Sequence, residues 1–269
     1  MSVRWGLAGW AITAGVALWV GALVALPLAA VGAEALHRGP GPALAAVLHP
    51  DALRALALSA SLATWVAAVN TVGGLAVAWA LVRWDFPGRR LLAAAVDLPF
   101  AVPTLVVGVL FVALLGPNTT LGRALEAAGL RVVYAWPGMA VALCFVTLPF
   151  VVRAVEPVLA ELDPAEQEAA RTLGATRWQV WSRVVIPPLI PPLVAGGGQS
   201  LARALGEFGA MAVVSGNVPR ETLVASVYVL GEVEAGQVGD AAAVSLVLLA
   251  LAAAAQLAGR RAGRWLGAA

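Results

Sequence analysis

The chain has 269 residues, of which 61% are hydrophobic and only 12% are charged. A soluble globular domain is nearer half apolar and about a quarter charged, so this composition supplies too little polar surface to cover a soluble particle. The formal net charge of +2 is too small to indicate a nucleic-acid partner.

Long uncharged runs along the chain predict helices that cross a membrane. Such a helix needs about 20 mostly apolar residues, whereas a membrane β-barrel would show short alternating segments, which this sequence lacks. A further apolar segment begins near Pro188 and brings the expected number of spans to six. The sequence therefore predicts an all-α, polytopic membrane protein. The uncharged runs are residues 5–33, 55–82, 98–116, 132–152 and 241–259.

The first of these runs, which follows Arg4, has two readings. Val-Gly-Ala at 31–33 resembles a signal-peptide cleavage site, but the run is much longer than the apolar core of a signal peptide, roughly 7–15 residues. A retained span is the favoured reading. We therefore expect a first transmembrane helix with its external loop over residues 1–52, a core of five transmembrane helices over residues 53–259, and a cytoplasmic tail over residues 260–269.

The basic residues are unevenly divided between the loops, and this predicts an orientation. All 17 are arginine, and if the loops alternate between two sides, one side holds 11, the other holds 5, and Arg203 lies within a span. Because loops rich in positive charge stay in the cytoplasm, the side with 11 arginines, and with it both termini, is predicted to be cytoplasmic. That side has Arg4, Arg83, Arg89, Arg90, Arg153, Arg171, Arg177, Arg183, Arg260, Arg261 and Arg264, and the other has Arg38, Arg54, Arg123, Arg131 and Arg220.

Helix-breaking or polar residues interrupt the predicted spans at three places. Pro99 and Pro103 predict a broken helix, which a membrane tolerates where protein or a cavity satisfies the freed backbone groups; the break either lines a pathway or serves packing alone. Asn70, in mid-span, is read as a hydrogen bond between helices more often than as a pathway contact. Arg203 and Glu207, four residues apart, are expected on one helical face inside a span. Such a pair either joins two spans or helps to form or gate an anion route.

A polar patch lies between the fourth and fifth spans and predicts two short helices joined by a turn. The first helix has its N-cap at Asp163, with proline next, and Gly174 permits the backbone conformation that ends it. The second begins at Thr176, with Gln179 completing a capping box. We expect it to end at Ile186, because two prolines follow.

The surface of this patch is compatible with two roles. Trp178, Trp181 and Val185 are spaced to share one helical face, as in an amphipathic loop that rests on lipid headgroups. Ala169 and Ala170 are small enough to let another protein approach closely. The physics of these residues leaves both roles open.

The spacing of the patch resembles the EAA loop of ABC-importer permeases. Glu-Ala-Ala at 168–170, three residues, Gly174, nine residues and V-V-I-P at 184–187 follow that family's pattern, which ends in I-x-L-P. In that family the loop docks into a groove on a cytoplasmic ATPase. The resemblance therefore implies a cytoplasmic coupling loop over residues 156–187. The ATPase contacts that it implies are Glu168, Ala169, Ala170, Gly174, Arg177 and Trp178.

The resemblance covers residues 70–250 and is greatest to sulfate/thiosulfate permeases. The segments LPFVVRAVEPVL and ARALGEFGAMAVVSGNVPRET carry it, although molybdate permeases share a version of GEFGA. It implies a type I ABC-importer permease fold, as in molybdate and methionine permeases. It also implies import of sulfate or thiosulfate across the cytoplasmic membrane, with molybdate or tungstate as the alternative.

The resemblance further implies partners. These are cytoplasmic ABC ATPase subunits, a second permease that is either identical or a sister, an extracytoplasmic sulfate-binding protein and membrane lipid. A nucleotide-binding Walker A loop needs a lysine, and this sequence has none. We therefore expect that the chain is not an enzyme and binds no cofactor, with ATP and Mg bound by the ATPase.

Two further readings concern metals and channels. His37 and His49 lie in the outer loop and the single cysteine, Cys144, lies in an apolar run, so we expect no metal site. A passive anion channel is the alternative from a different class of protein. The EAA loop argues against it, because a channel has no use for an ATPase contact.

Overall fold

The computed structural model describes the backbone of residues 7–268, together with the side chains in that range except those of residues 7, 8, 11, 267 and 268. Arg4 lies outside the described residues. Every regular element in the described range is a helix, as predicted. The helices are α1 (Leu7–Leu36), α2 (Pro40–Val47), α3 (Pro50–Arg83), α4 (Arg89–Ala101), α5 (Thr104–Leu115), α6 (Thr120–Ala127), α7 (Trp136–Glu161), α8 (Pro164–Thr172), α9 (Arg177–Val180), a π-helical turn (Trp181–Val185), α10 (Ile186–Leu205), α11 (Gly209–Val214), α12 (Ala225–Glu234) and α13 (Val238–Ala268).

Five segments within residues 7–268 are long and apolar enough to cross a membrane, and the bent pair α4–α5 makes six if it counts as one span. This agrees with the predicted polytopic membrane protein. The five segments are Ile12–Leu36, Pro50–Arg83, Trp136–Glu161, Arg177–Leu205 and Val238–Leu266.

The chain divides into two compact units. The first comprises the described part of Met1–His49 together with Val229–Val247. Within it, alanines from α1 and α13 pack together, and Arg38 forms an ion pair with Asp240.

The second unit, Pro50–Tyr228 with Leu248–Ala269, is built around α3, α7 and α10. Two clusters of buried side chains fill it. One contains Leu62, Met139 and Met211, and the other, towards the polar patch, contains Val151, Leu159 and Leu189. Small residues allow the helices to approach closely: a Cβ on Gly74 would lie 2.7 Å from the Val151 side chain. These packed helices hold the candidate sites in place.

Candidate translocation and coupling sites

The break predicted at the two prolines is present. Helix α4 contains Pro99 and ends at Ala101, while Pro103 is the N-cap of α5, and the two helix axes differ by 118°. Val102, between them, is extended with φ −90° and ψ 126°. A residue that precedes proline is sterically driven out of the helical conformation, so the break follows from local sequence.

Both helices of the broken pair contact α7. The Phe111 and Phe145 rings lie 5.8 Å apart, and those of Phe100 and Phe150 lie 5.3 Å apart. Further along α7, the Arg153 Nε donates to Asp97 Oδ1 at 2.8 Å. From Phe145 to Arg153 along α7, the contacting helix changes from α5 to α4. Positions from α4 to α5 therefore contact successively earlier positions of α7, although the 118° bend prevents both helices from lying antiparallel to it.

The turn at residues 206–209, from the segment GEFGA, packs against this break. Helix α10 ends at Leu205 with Gly206 as its C-cap, and α11 begins at Gly209. A Cβ on Gly209 would lie 2.4 Å from Thr104 Oγ1 and 2.7 Å from the Leu105 nitrogen. Only a glycine permits this approach, so the predicted proline break and this turn, which was not predicted from the sequence, meet at the start of α5.

Arg203 and Glu207 form the predicted ion pair, with Arg203 Nη1 2.6 Å from Glu207 Oε2. The expectation that both lie on one helical face within a span is wrong. Because α10 ends at Leu205, Glu207 lies beyond the helix and reaches back to Arg203. Its side chain is 1% exposed, whereas that of Arg203 is 35% exposed. The contact lacks hydrogen-bond geometry at Oε2, so its attraction is Coulombic.

Glu207 also holds the turn through its other polar atoms. Its Oε1 accepts a hydrogen bond from the Ala210 backbone N–H at 3.0 Å, in the first turn of α11. Its backbone carbonyl accepts from Ser226 Oγ at 2.7 Å. Glu207 thus links α10 and α11 through its buried carboxylate and the start of α12 through its carbonyl, which the spacing of the residues did not predict.

Asn70 makes the hydrogen bond between helices that was predicted. Its Nδ2 donates to Thr147 Oγ1 at 2.8 Å and to the Cys144 carbonyl at 3.1 Å. Ser200 Oγ donates to the same Thr147 oxygen at 3.0 Å. Asn70, Thr147 and Ser200 are all buried, so this polar network joins α3, α7 and α10. Thr147 and Ser200 were not singled out from the sequence, since single hydroxyl residues in apolar runs give no distinctive pattern.

The polar patch folds locally as its residues predicted. The Asp163 carboxylate accepts the Ala165 N–H at 2.8 Å at the start of α8. Gly174 has the left-handed φ of +86° that ends this helix. Thr176 and Gln179 form a reciprocal capping box at the start of α9.

The predicted end at Ile186 is wrong. After α9 the chain makes the π-helical turn and continues as α10 through both prolines. The π-helical turn, in which the Ile186 N–H donates to the Trp181 carbonyl, changes the hydrogen-bond pattern of the helix just before the prolines and accommodates them. Pro187 and Pro188 are the second and third residues of α10, so they lie at the start of the span instead of closing the patch.

The side chains implied to contact an ATPase lie on the surface of the patch, with one partial exception. Glu168, Ala169, Gly174, Arg177 and Trp178 are exposed and Ala170 is half-buried. Leu173 is 89% exposed and Trp178 is 75% exposed. Leu173 was not predicted, although its place immediately before the turn glycine is visible in the sequence.

The three residues expected to share one face do not share it. Val185 is 1% exposed, Trp181 is 40% exposed and Trp178 is 75% exposed. The π-helical turn that contains Trp181 and Val185 changes the angular spacing from that of an α-helix. Trp178 therefore points away from the core, whereas Val185 is buried in it.

The patch is fixed to the core by Trp79 and Arg83 through contacts that were not predicted from the sequence. The Trp79 and Trp181 rings lie 5.3 Å apart. Arg83 Nη2 donates to the carbonyls of Leu159 and Leu162 at 3.1 and 2.9 Å, at the end of α7. The end of α3 thus contacts the base of the coupling loop, which comprises residues 156–187. Only the occurrence of Trp79 and Arg83 four residues apart at the end of a span could have indicated this.

Contacts within the second unit also join the opposite ends of its helices. Asp51, at the start of α3, pairs with Arg220. The Tyr134 N–H, before α7, donates to the Val214 carbonyl at 3.0 Å. The ends of α3 and α7 meet at the coupling loop and their other ends meet these loops, so the predicted alternation of the loops agrees with the packing.

This arrangement defines the class: the permease subunit of an ABC importer. The chain belongs to the family described as binding-protein-dependent transport system inner membrane component, which matches residues 70–265. It is therefore an inner-membrane protein with several spans.

Curated relatives are similar over most of the chain. It is 40% identical over 252 residues to the sulfate transport system permease protein CysT of Escherichia coli (strain K12), covering 93% of this chain and 91% of that one. It is 43% identical over 228 residues to the sulfate transport system permease protein CysW of Synechocystis sp. (strain ATCC 27184 / PCC 6803 / Kazusa), covering 84% and 83%.

Solved structures show the same fold at low identity. A chain of a bacterial alginate ABC transporter in complex with its periplasmic protein matches with a TM-score of 0.78 and 18% identity, covering 96% of this chain and 94% of that one. A chain of the MetNI methionine ABC transporter matches with a TM-score of 0.60 and 21% identity, covering 80% and 95%. Both likenesses concern the fold, and they confirm the predicted ABC-importer permease architecture.

Proposed function

We propose that this chain is the transmembrane permease subunit of an ATP-driven importer that moves sulfate or thiosulfate into the cytoplasm. The observation that carries the proposal is the 40% identity to a sulfate permease over nearly the full length of both chains. Both termini are cytoplasmic in this proposal. The uneven distribution of arginine between the loops supports that orientation.

In this function the coupling loop receives an ABC ATPase subunit, which binds ATP and Mg. The contacts are Glu168, Ala169, Ala170, Gly174, Arg177 and Trp178. The exposure of the apolar Leu173 and Trp178 on a polar loop supports a protein partner, because large exposed apolar side chains mark interaction surfaces. The attachment of the loop through Trp79 and Arg83 supplies a rigid path from that partner to α3 and α7.

The translocation route passes the junction of the proline break with the turn at residues 206–209. Pro99 and Pro103 shape the wall, and the Arg203–Glu207 pair forms the gate. Its guanidinium is about one-third exposed while its carboxylate is buried, so the positive group is the one available to an anion. Asn70 positions the surrounding helices through Thr147 and Ser200.

Two further subunits complete the transporter: a second permease and an extracytoplasmic sulfate-binding protein. Both CysT and CysW relatives resemble this chain. This supports a pair of permeases, which is made of either sister chains or two copies.

Transport by the reconstituted complex tests the function. The chain is co-expressed with an ABC ATPase, a second permease and a sulfate-binding protein from the same organism, and the complex is placed in liposomes that contain ATP and Mg. We expect uptake of labelled sulfate that requires ATP and is competed by thiosulfate. Competition by molybdate but not by thiosulfate would contradict the sulfate assignment. Uptake that proceeds equally without ATP would indicate a passive channel.

A further inference from the structure

A groove lies on the surface where α10 packs against the C-terminal part of α13 in the second unit. Its volume is about 500 Å³. Its walls are mainly apolar, from Pro191 and Pro192 on α10 and Leu257 on α13, and Arg260 and Arg264 lie on the α13 side. The two arginines are four residues apart and therefore occupy one face of the helix.

The groove lies near the coupling-loop end of α10. Pro191 is five residues after Ile186, where α10 begins, which corresponds to about 8 Å along the helix axis. A Cβ on Gly263 would lie 2.9 Å from the Pro191 carbonyl oxygen, so this part of α13 packs directly on that level of α10. In the proposed orientation this is the cytoplasmic boundary of the membrane.

The positive charge in the groove is not neutralised by the described part of the chain. Neither Arg260 nor Arg264 has an ion pair or a side-chain hydrogen bond there. Helix α10 has no acidic residue, and the only one in α13 is Asp240, near its opposite end. Leu257 is 51% exposed and Trp265 is 73% exposed beside the arginines. Exposed apolar and aromatic side chains next to arginine are typical of the interface between lipid chains and headgroups.

We propose that this groove binds an anionic phospholipid. The phosphate lies against Arg260 and Arg264, and an acyl chain follows the apolar wall formed by Pro191, Pro192 and Leu257. Guanidinium groups bind phosphate through paired hydrogen bonds, and basic pockets between transmembrane helices at the cytoplasmic side suit acidic headgroups. The groove is at once charged and apolar, which matches a lipid better than a free anion.

Lipid retention by the intact transporter tests this proposal. The purified complex is exchanged into detergent with phosphatidylglycerol or phosphatidylcholine, and native mass spectrometry measures the lipid that remains bound. We expect the wild-type complex to retain phosphatidylglycerol in preference to phosphatidylcholine. The Arg260→Gln/Arg264→Gln variant should bind phosphatidylglycerol roughly 25-fold more weakly, from about fivefold for each arginine.

Arg261 supplies the matched control. It is exposed and adjacent to Arg260 but does not line the groove. Arg261→Gln removes the same charge and should change phosphatidylglycerol affinity less than about twofold. The single variants Arg260→Gln and Arg264→Gln are measured beside it. If Arg261→Gln lost as much phosphatidylglycerol affinity as either of them, the effect would be one of diffuse surface charge and the proposal would be overturned.

Two further outcomes would also overturn it. If the wild-type complex retained both lipids equally, the arginines would not select phosphatidylglycerol over phosphatidylcholine. This result needs no variant. Loss of permease pairing in the groove variant, with unchanged lipid, would make the groove a protein interface. Because both arginines are exposed, their substitution should leave folding intact, which the elution volume of the complex checks.

Discussion

Glu207 shows how one buried residue can determine a local arrangement. It pairs with Arg203, accepts the Ala210 N–H and accepts Ser226 Oγ through its carbonyl, while its side chain is 1% exposed. A buried carboxylate is costly unless it is paired and hydrogen-bonded. Glu207 meets both conditions only because Gly206 ends α10 and turns the chain.

Removing Glu207 should therefore damage the protein more than removing both members of the pair. We expect Glu207→Ala to lower stability by about 2 kcal/mol, less than the 3–5 kcal/mol of a fully buried pair, because Arg203 is 35% exposed. The Arg203→Ala/Glu207→Ala variant should recover part of the folded yield, measured by size-exclusion chromatography. Recovery is partial because the Ala210 N–H still lacks its acceptor.

Sulfate uptake per folded transporter distinguishes a structural pair from a gate. If the pair only joins elements, uptake by the double variant follows its yield. If Arg203 serves the anion, uptake stays low after yield recovers. If the double variant lost as much folded yield as the two single variants together, the residues would not interact. The assignment of the pair as a gate would then be wrong.

Gly174 illustrates a requirement of the backbone alone. Its φ is +86°, yet a Cβ there would meet nothing within 4 Å. A side chain at this position would therefore not push the two short helices apart by contact. The strain comes from the left-handed conformation, which costs a residue other than glycine about 1 kcal/mol.

We expect Gly174→Val to reach the membrane but to co-purify with less ATPase, because a β-branched residue resists this conformation. Gly174→Asn is the matched control, since asparagine tolerates the left-handed region, and it should retain most of the ATPase. The measurement is the ratio of ATPase to permease after affinity purification. Normal ratios and normal transport for both variants would remove Gly174 from the coupling site.

At the scale of elements, the contact of α11 with α5 brings the two irregular segments together. Gly209 adjoins Thr104 and Leu105, and a Cβ on Gly108 would lie 2.9 Å from the Ala210 carbonyl oxygen. The backbones are so close that neither glycine can be enlarged without movement. The contact explains why the proline break and the glycine turn form one site.

Two glycines of the turn should therefore differ in their response to alanine. In Gly209→Ala the Cβ would lie 2.7 Å from the Leu105 backbone nitrogen, and overpacking of this kind costs about 1–3 kcal/mol. In Gly206→Ala the nearest heavy atom is 3.9 Å away, so we expect a change within about 0.5 kcal/mol. Thermal melting of the purified complex measures both. Similar melting temperatures for the two variants would contradict the packing of α11 on α5.

At the scale of the whole molecule, the interrupted pair α4–α5 decides the topology. Counted as one span it gives six, with both termini on the same side. The order of its contacts along α7, from Phe111–Phe145 to Asp97–Arg153, supports that count. If the pair α4–α5 were re-entrant, the loop before α4 and the loop after α5 would lie on the same face of the membrane.

Reporter fusions test this topology directly. We expect fusions after Arg90 and Arg183 to report a cytoplasmic location, and fusions near Gly41 and Asn118 an external one. The Asn118 fusion is decisive for α4–α5, because a re-entrant pair would leave it cytoplasmic. Reversal at Arg90 or Arg183 would contradict the orientation of the whole chain.

The sequence by itself determined the features that depend on neighbouring residues. Uncharged runs of spanning length predicted the membrane helices, because the length needed depends only on bilayer thickness. The start at Asp163, the turn at Gly174 and the capping box at Thr176 involve groups within a few positions of one another. For the same reason the break before Pro103 was predictable.

Only the tertiary structure decided which of these features meet. Gly209 lies against Thr104, and Trp79 against Trp181, through packing between elements far apart in the chain. The continuation through Pro187, where a helix end was predicted, depends on the π-helical turn that precedes it. Single residues encode their own conformational limits, but contacts between distant helices depend on how all the surfaces pack together. The candidate gate and the lipid groove are products of that packing.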